Sequence, residues 1–427
     1  MPLRFNGALY FSMRILYINH YAGSTRHGME YRPYYLAHEW VQSGHAVRIL
    51  AGSHSHVRST QPTDNGNPIT KPTTEWIDGI EYIWYPTPPY AGNGIGRVRN
   101  IWAFLRQVWS DARKMATQFR PDFVIASSTY PMDIWVARRI ARMAGARLVY
   151  EVHDLWPLSP IELGGMSPRH PFIRLCQAAE DAAYRDADVV VSMLPKVSAH
   201  MAAHGLDLRK LHVVPNGITL DEWQGTPPAV VPEIAEYVRL RRVEGNVIVG
   251  YAGSHGTTNA LDVLLDAASR LKSEPFVFVL VGDGMEKAHL ERRISQEGLN
   301  NVRLFPPIPK AQIPSFLAQI DIAYIGWQRM PIYRFGIAPN KVMDYMMAGC
   351  VVLHAVSAGN DPVAEAGCGL TVPPESPQAI AEGLLKLSGL TTMEREAMGK
   401  NGRAYVQAHH LYPVLAQKFV TIMEDRQ

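Results

Sequence analysis

Short apolar runs rich in β-branched residues alternate with helix-length stretches along nearly the whole chain, and this constrains the fold more than any other feature. Seven such runs lie in the first half: Arg14–Asn19, Ala46–Ala51, Glu81–Tyr85, Phe123–Ala126, Arg147–Glu151, Asp188–Ser192 and Leu211–Val214. Tyr31–Ser43, Arg99–Phe119 and Met132–Ala144 are helix-length segments between them. Runs such as FVIA and VVVS show no polar/apolar alternation, as expected of parallel strands covered on both faces. A chain of this kind folds as βαβ units around a doubly wound α/β sheet.

The pattern breaks once. Residues 222–245 hold Pro227, Pro228 and Pro232 among many charges and read as a linker with a short helix. A second series follows, with strands expected at Val247–Tyr251, Phe276–Val281, Val302–Leu304, Ile322–Ile325, Val351–Leu353 and Leu370–Val372. The expected organisation is an extension over 1–12, an α/β domain over 13–221, the linker, a second α/β domain over 246–404 and a terminal helical segment over 405–427. Pro413 bends that last segment. Met13 stands directly before the first strand, which sets 1–12 apart as the extension.

Composition excludes several classes. The 42 Lys+Arg nearly balance the 39 Asp+Glu, a net charge of +3, which argues against a nucleic-acid coat. Cys176, Cys350 and Cys368 are an odd number set far apart, so neither a disulfide framework nor a CxxC zinc site is expected, and a reducing, cytoplasmic compartment fits. No apolar window reaches the ~18 residues of a membrane span, and residues 1–12 lack a signal-peptide pattern.

Five loops at strand ends carry candidate chemistry, because open α/β sheets bind ligands at the carboxyl ends of their strands. The first, HYAGSTRHGMEYR, has Gly23 and Gly28 before a helix but is not GxGxxG. The second is Glu151–Pro157, EVHDLWP, where His153 and Asp154 can bind a hydroxyl or handle a proton. The third, GYAGSHGTTNALD, sets Gly250, Gly253 and Gly256 between a strand and a helix, a backbone anion site. The fourth is Val281–Lys287, with Gly282 and a nearby cation. The fifth is Arg334–Tyr345, RFGIAPNKVMDY. There Lys341 opposes the helix dipole unless an anion lies between them, and Asp344 follows at i, i+3. A solvated Lys341–Asp344 pair is the plainer alternative. His200 and His204 are spaced i, i+4 but lack the Glu of HExxH, His54/His56 and His409/His410 have no matching third ligands, and no DxD, Walker A or GxSxG is present. No metal is expected.

Taken together, these segments resemble a family 4 retaining glycosyltransferase of the GT-B fold, in particular the WbuB-like bacterial surface-polysaccharide subgroup. INHYAGSTRHGMEYRPYYLAHEWVQSGH, EVHDLWPLSPIELGG, VVPNGI, YAGSHGTTNALDVLLDAA, VGDGMEK and FGIAPNKVMDYMMAGCVVL carry the likeness, which runs from Met13 over nearly the whole chain. It departs from the family in three places, the first being the opening loop, where the family's doubled glycine appears as His27–Gly28. In the E-x7-E pattern Asp344 matches the second acid, but the first falls on Gly336. Where many members have Arg and Lys after the first strand of the second domain, Ser254, His255, Gly256 and Thr257 stand instead.

The resemblance implies two Rossmann-like domains facing across a cleft, with the helix after Pro413 crossing back to the first. It implies transfer of a sugar, with retention, from a nucleoside-diphosphate sugar to a lipid-linked or soluble glycan acceptor. UDP is the expected carrier and polyprenyl diphosphate the expected anchor, on the cytoplasmic face of the membrane. No cofactor, metal or nucleic acid is implied. Gly253, Ser254, Gly282, Lys287, Gly336, Ile337, Ala338, Pro339, Asn340 and Lys341 are the donor-site candidates, with Ile308 near the base and Asp344 on the ribose. Gly28, Glu30 and Arg32 are candidates for the acceptor or sugar side. His153, Asp154 and Lys341 are the catalytic candidates, and Asp154 and Glu162 the acids open to a nucleophile's role. A nucleotide-sugar epimerase of the same fold, or a non-catalytic partner of a transferase, are the competing readings. In 97–120, six cations and Trp102, Leu105 and Trp109 on one helix face suggest either a membrane-surface contact or packing on the sheet.

Overall fold

A computed structural model describes residues 12–92 and 94–425 in full and the backbone of 3–5 and 8–10. Apart from two short antiparallel strands, Leu3–Phe5 and Ala8–Tyr10, and Ser12, the expected extension lies outside the described residues. The chain divides into two compact units, residues 1–216 with 412–427, and residues 217–411.

The sheet of the first unit contains β1 (Arg14–Ile18), β2 (Ala46–Gly52), β3 (Thr73–Ile77), β4 (Ile80–Tyr85), β5 (Phe123–Ala126), β6 (Arg147–Val152), β7 (Val189–Ser192) and β8 (Leu211–Val213). Their order is β8-β7-β6-β5-β1-β2-β4-β3. All pairs are parallel except β3 with β4. Strand β1 sets Ile15 against Val47 on one side and Phe123 on the other. Every residue of β5 and β7 is buried, because helices cover both faces. The sequence reading missed β3, a half-exposed edge strand joined to β4 by Asp78–Gly79, both at positive φ as a tight hairpin requires.

Helices α1 (Arg32–Gln42), α2 (Ile95–Lys114), α3 (Asp133–Ala144), α4 (Pro171–Asp186) and the short α5 (Ser198–Ala203) belong to this unit.

The second sheet is β9 (Val247–Ala252), β10 (Phe276–Val281), β11 (Val302–Phe305), β12 (Ile322–Gly326), β13 (Val351–Ala355) and β14 (Gly369–Val372). Its order, β11-β10-β9-β12-β13-β14, is parallel throughout. The strand order reverses at β9 and β12, the topological switch point where such sheets bind ligands. Helix α6 (Leu261–Arg270) follows β9, α7 (Lys287–Gln296) follows β10, and α8 (Asn340–Ala348) follows β12. The segment read as a linker contains the helix Pro232–Val243, whose Ile234 and Val238 are buried in this unit's core.

Helix α9 (Tyr412–Glu424) packs in the first unit. Pro413 sits in its first turn, where a missing N–H costs nothing. Leu415, Phe419, Val420 and Met423 are buried against α1 and the sheet. Trp40 Nε1 donates to the Ala416 carbonyl at 3.1 Å, and its ring meets Phe419 edge-on at 5.3 Å.

Candidate active site

In the second unit, β9 and β10 end in two glycine turns that pack backbone to backbone. At Gly253, φ is +152°, and a Cβ would lie 2.4 Å from Lys341 Cε. Only glycine lets the lysine stem cross that turn. Lys341 lies in the first turn of α8, and its Nζ donates to the Tyr251 hydroxyl at 2.9 Å and Asn259 Oδ1 at 2.8 Å. Tyr251 and Asn259 are themselves tied to the loop: both donate to the Ser254 carbonyl, at 2.6 and 3.1 Å. The ammonium is therefore held over the first turn by neutral oxygens. Among the described residues no acid lies within ion-pair distance, so the alternative of a Lys341–Asp344 surface pair does not hold. Burial pushes the Lys341 ammonium down to about 8.

Ala252, Gly253, Ser254, Gly282, Pro307 and Ile308 line a cavity of 270 Å³ beside these turns. Lys287 starts α7 and reaches the Gly282 carbonyl at 3.3 Å. Asp344 is half-buried, and burial pushes its carboxyl up to about 7, with Lys310 opposing the shift and Glu222 adding to it. Asn340 is exposed, Ala338 and Pro339 are half-buried, and the Ser254 side chain is exposed. Gly336 closes the turn Pro331–Phe335 at φ +107°. At that angle an acidic side chain is strained. The Ile337 N–H donates to Asn360 Oδ1 at 2.7 Å and its carbonyl accepts from Asn360 Nδ2 at 3.1 Å, which ties this loop to Asn360.

In the first unit, a buried carboxylate organises the end of β6. Glu151 is 0% exposed. Its Oε1 accepts from Arg32 Nε at 2.9 Å, and its Oε2 accepts from the Tyr17 hydroxyl and from Ser127 Oγ at 2.7 Å. His153, two residues on and so on the same side of the strand, places Nε2 3.1 Å from Glu151 Oε2 and 2.9 Å from Ser127 Oγ. Burial opposes the charge on His153, but adjacent Glu151, with help from Glu30, outweighs it and raises the imidazole above its ordinary value. For Glu151, burial is outweighed by Arg32 and His153, which hold the carboxyl well below the usual range.

Two acceptor-side expectations are corrected here. Arg32 is 1% exposed, and its guanidinium also serves the carbonyls of Val214 and Pro215, so it is a core strut. Gly28 is buried in its own loop against Ser59. Glu30 is half-buried and acts electrostatically on His153, while Asp154 is exposed. Sequence reasoning gave no role to Glu151, Ser127, Tyr251 or Asn259. The i, i+2 spacing of Glu151 and His153 was the one available signal.

The face of α2 divides. Leu105 is buried at 4%, whereas Trp102 and Trp109 remain 46% and 43% exposed. Together with Val98, Met132 and Trp135 they line an apolar groove of 640 Å³, with Arg99 and Arg106 in its wall. No helix among the described residues is long and apolar enough to cross a membrane.

Residues 27–217 match the glycosyl transferase 4-like domain, and residues 246–389 match glycosyl transferases group 1. The Escherichia coli K12 protein named as a colanic acid biosynthesis glycosyl transferase, WcaI, is 25% identical over 268 residues, 61% of this chain and 65% of that protein. The 2-deoxystreptamine glucosyltransferase of Streptomyces kanamyceticus is 26% identical over 198 residues, 43% of this chain and 47% of that one. The chain thus spans less than two thirds of these curated relatives. Among solved structures, Anabaena HepE in complex with UDP and glucose aligns with a TM-score of 0.65 at 17% identity, over 97% of this chain and 100% of that one. WaaG, a glycosyltransferase involved in lipopolysaccharide biosynthesis, aligns with 0.64 at 17%, over 97% and 100%. At such identities the likeness speaks for the fold. With both halves matched by transferase models and both sheets wound in this order, the chain belongs to the glycosyltransferases of the GT-B fold, with a family 4-like first unit and a group 1 second unit.

Proposed function

We propose that the protein transfers a sugar, with retention of anomeric configuration, from a nucleoside-diphosphate sugar to a carbohydrate acceptor in surface-polysaccharide synthesis of the WbuB-like kind. UDP is the carrier, and the acceptor sugar rides on a polyprenyl diphosphate at the cytoplasmic membrane face. The observation that carries this reading is Lys341, a partly desolvated cation held over a glycine turn at a switch point, with no acid within ion-pair distance of it among the described residues. The glycosyltransferase descriptions of WcaI and WaaG, and the UDP and UDP-glucose complexes of HepE, support the same direction.

As the glycosidic bond breaks, negative charge grows on the leaving diphosphate, and preorganised donors aimed there lower the barrier. Lys341, Lys287, Asn340 and the Gly253–Ser254 turn supply them. Asp344 holds the ribose and Ile308 borders the base. His153, oriented by Glu151 and Ser127, contacts the sugar or the acceptor hydroxyl. The leaving phosphate takes the acceptor proton on the same face, so neither a covalent nucleophile nor a metal is assigned a step. Trp102 and Trp109, with Arg99 and Arg106 beside them, suit an anionic membrane surface.

The test incubates the purified protein with UDP-hexoses, with and without a short-chain prenyl-diphosphate-linked sugar. UDP release that requires the acceptor, with a product whose anomeric configuration matches the donor's by NMR, is expected. Epimerised UDP-sugar formed without acceptor would replace the reading with an epimerase. Absence of any nucleotide binding would replace it with a partner subunit.

A further inference from the structure

Helices α4 and α5 bring together a side-chain set that the transfer reaction does not use. Glu180 lies on α4; His200 lies on α5, and His204 just past its end. The two histidines are one helical turn apart, with ring centroids 4.7 Å apart and planes tilted by 52°. Glu180 Oε1 is 3.6 Å from His200 Nε2. One ligand atom from each of the three lies within 4.8 Å of the others. Ligand atoms around a tetrahedral zinc ion, bound at ~2.0–2.2 Å, stand about 3.4 Å apart, so small rotamer changes close the set. The sequence spacing supplied two ligands, and the fold supplies the third from 20 residues upstream.

Charge points the same way. Glu180 is 1% exposed. The Tyr184 hydroxyl donates to its Oε1 at 2.8 Å and Gln177 Nε2 to its Oε2 at 2.9 Å, and both donors are neutral. Among the described residues no lysine or arginine lies within ion-pair distance of it. The His200 imidazole is the basic side chain beside it there. A carboxylate this buried is stable when it is paired with a cation or bound to a metal. Asp181 Oδ1 and Gln177 Nε2 stand 3.2 and 2.9 Å from His204 Nδ1, so Asp181 either orients that ring or joins as a fourth ligand. A second cluster, Asp262 with Glu286 and His289, lacks this character, because Arg293 already neutralises Asp262 at 2.8 Å.

We propose that Glu180, His200 and His204 form a structural zinc site that staples α5 to α4, independent of the transfer chemistry. Mixed imidazole and carboxylate ligands suit Zn²⁺ over Mg²⁺ or Ca²⁺. The test titrates the untagged, chelator-stripped full chain with Co²⁺ and then Zn²⁺. One equivalent of Co²⁺ giving the visible absorption of a low-coordinate site, its displacement by Zn²⁺ and a metal-dependent rise in Tm are expected. His200→Gln and His204→Gln each weaken Zn²⁺ binding by about 100-fold or more and abolish the Tm rise. His204 is 32% exposed, so its variant reports even if the His200 variant fails to fold. No stoichiometric binding by the wild type, or binding unchanged in the His204 variant, would leave Glu180 and His200 as an ion pair and overturn the site.

Discussion

Replacing Lys341 by methionine removes the charge while keeping an apolar stem across Gly253. A cation that meets developing phosphate charge is worth about 2–4 kcal/mol in the transition state. At ~1.36 kcal/mol per decade, kcat/KM for the UDP-sugar falls roughly 30- to 1,000-fold. Stability moves the other way. Burial lowers the Lys341 pKa from 10.5 to about 8, so at neutral pH the folded protein carries the ammonium at a cost of about 3 kcal/mol. Losing the bonds to Tyr251 and Asn259 offsets about 1 kcal/mol each, and the variant comes out about 1 kcal/mol more stable at pH 7. Below pH 8 the lysine is charged in both states and the cost is complete. Between pH 8 and 10.5 the unfolded chain binds the proton and the folded one does not, so wild-type stability rises with pH and the variant's advantage disappears. Urea melts of both proteins at pH 7 and 10, with initial rates at pH 7, measure all of this. Unchanged kcat/KM in a folded variant refutes the phosphate role, and a variant less stable than wild type at pH 7 makes Lys341 a strut.

Glu151→Gln leaves Arg32 buried without its counter-charge and costs about 3–5 kcal/mol at pH 7 in denaturant melts. The Glu151 pKa is depressed, so its contribution is complete above its ordinary value near 4.5 and fades only in stronger acid, and a cost below about 1 kcal/mol refutes the buried-pair account. On the proposed mechanism, in which lysines and helix termini meet the phosphate charge, EDTA leaves the initial rate of transfer intact. Loss of activity restored by Mg²⁺ or Mn²⁺ refutes that. With anionic liposomes the protein sediments at low salt and is released at high salt, and reversing Arg106, Arg113 and Lys114 to Glu abolishes sedimentation. An unchanged supernatant at low salt makes α2 a packing helix only.

The sequence made the strand series legible because fully apolar runs such as FVIA leave no choice of exposed face. It hid β3, whose polar TTEWI run lacks that signature, although the Asp78–Gly79 turn beside it was the strongest hairpin signal in the region. At the proposed donor turn, Gly253 and Lys341 were readable separately, but the link between them was not. Tyr251 looks like core inside an apolar strand, and its hydroxyl matters only once α8 is placed against β9. Arg32 misled for the same reason. A cation at the start of a helix looks accessible until folding brings up Glu151, 119 residues away, to neutralise it. Local pattern reports the elements, whereas long-range pairing decides which polar side chains face a ligand and which hold the core.

Helix α9 belongs to the first unit although all of residues 217–411 precede it in the chain. A ribosome therefore completes the second unit's sequence before it supplies the element that covers Trp40 and Tyr35. Throughout that interval the nascent first unit presents an open apolar seam along α1, shielded only by whatever chaperone is at hand. A message broken after codon 411 yields a second unit with its own sheet intact and a first unit with this seam permanently bare. A fusion or permutation that moves α9 ahead of residue 13 supplies this cover before the second unit is made.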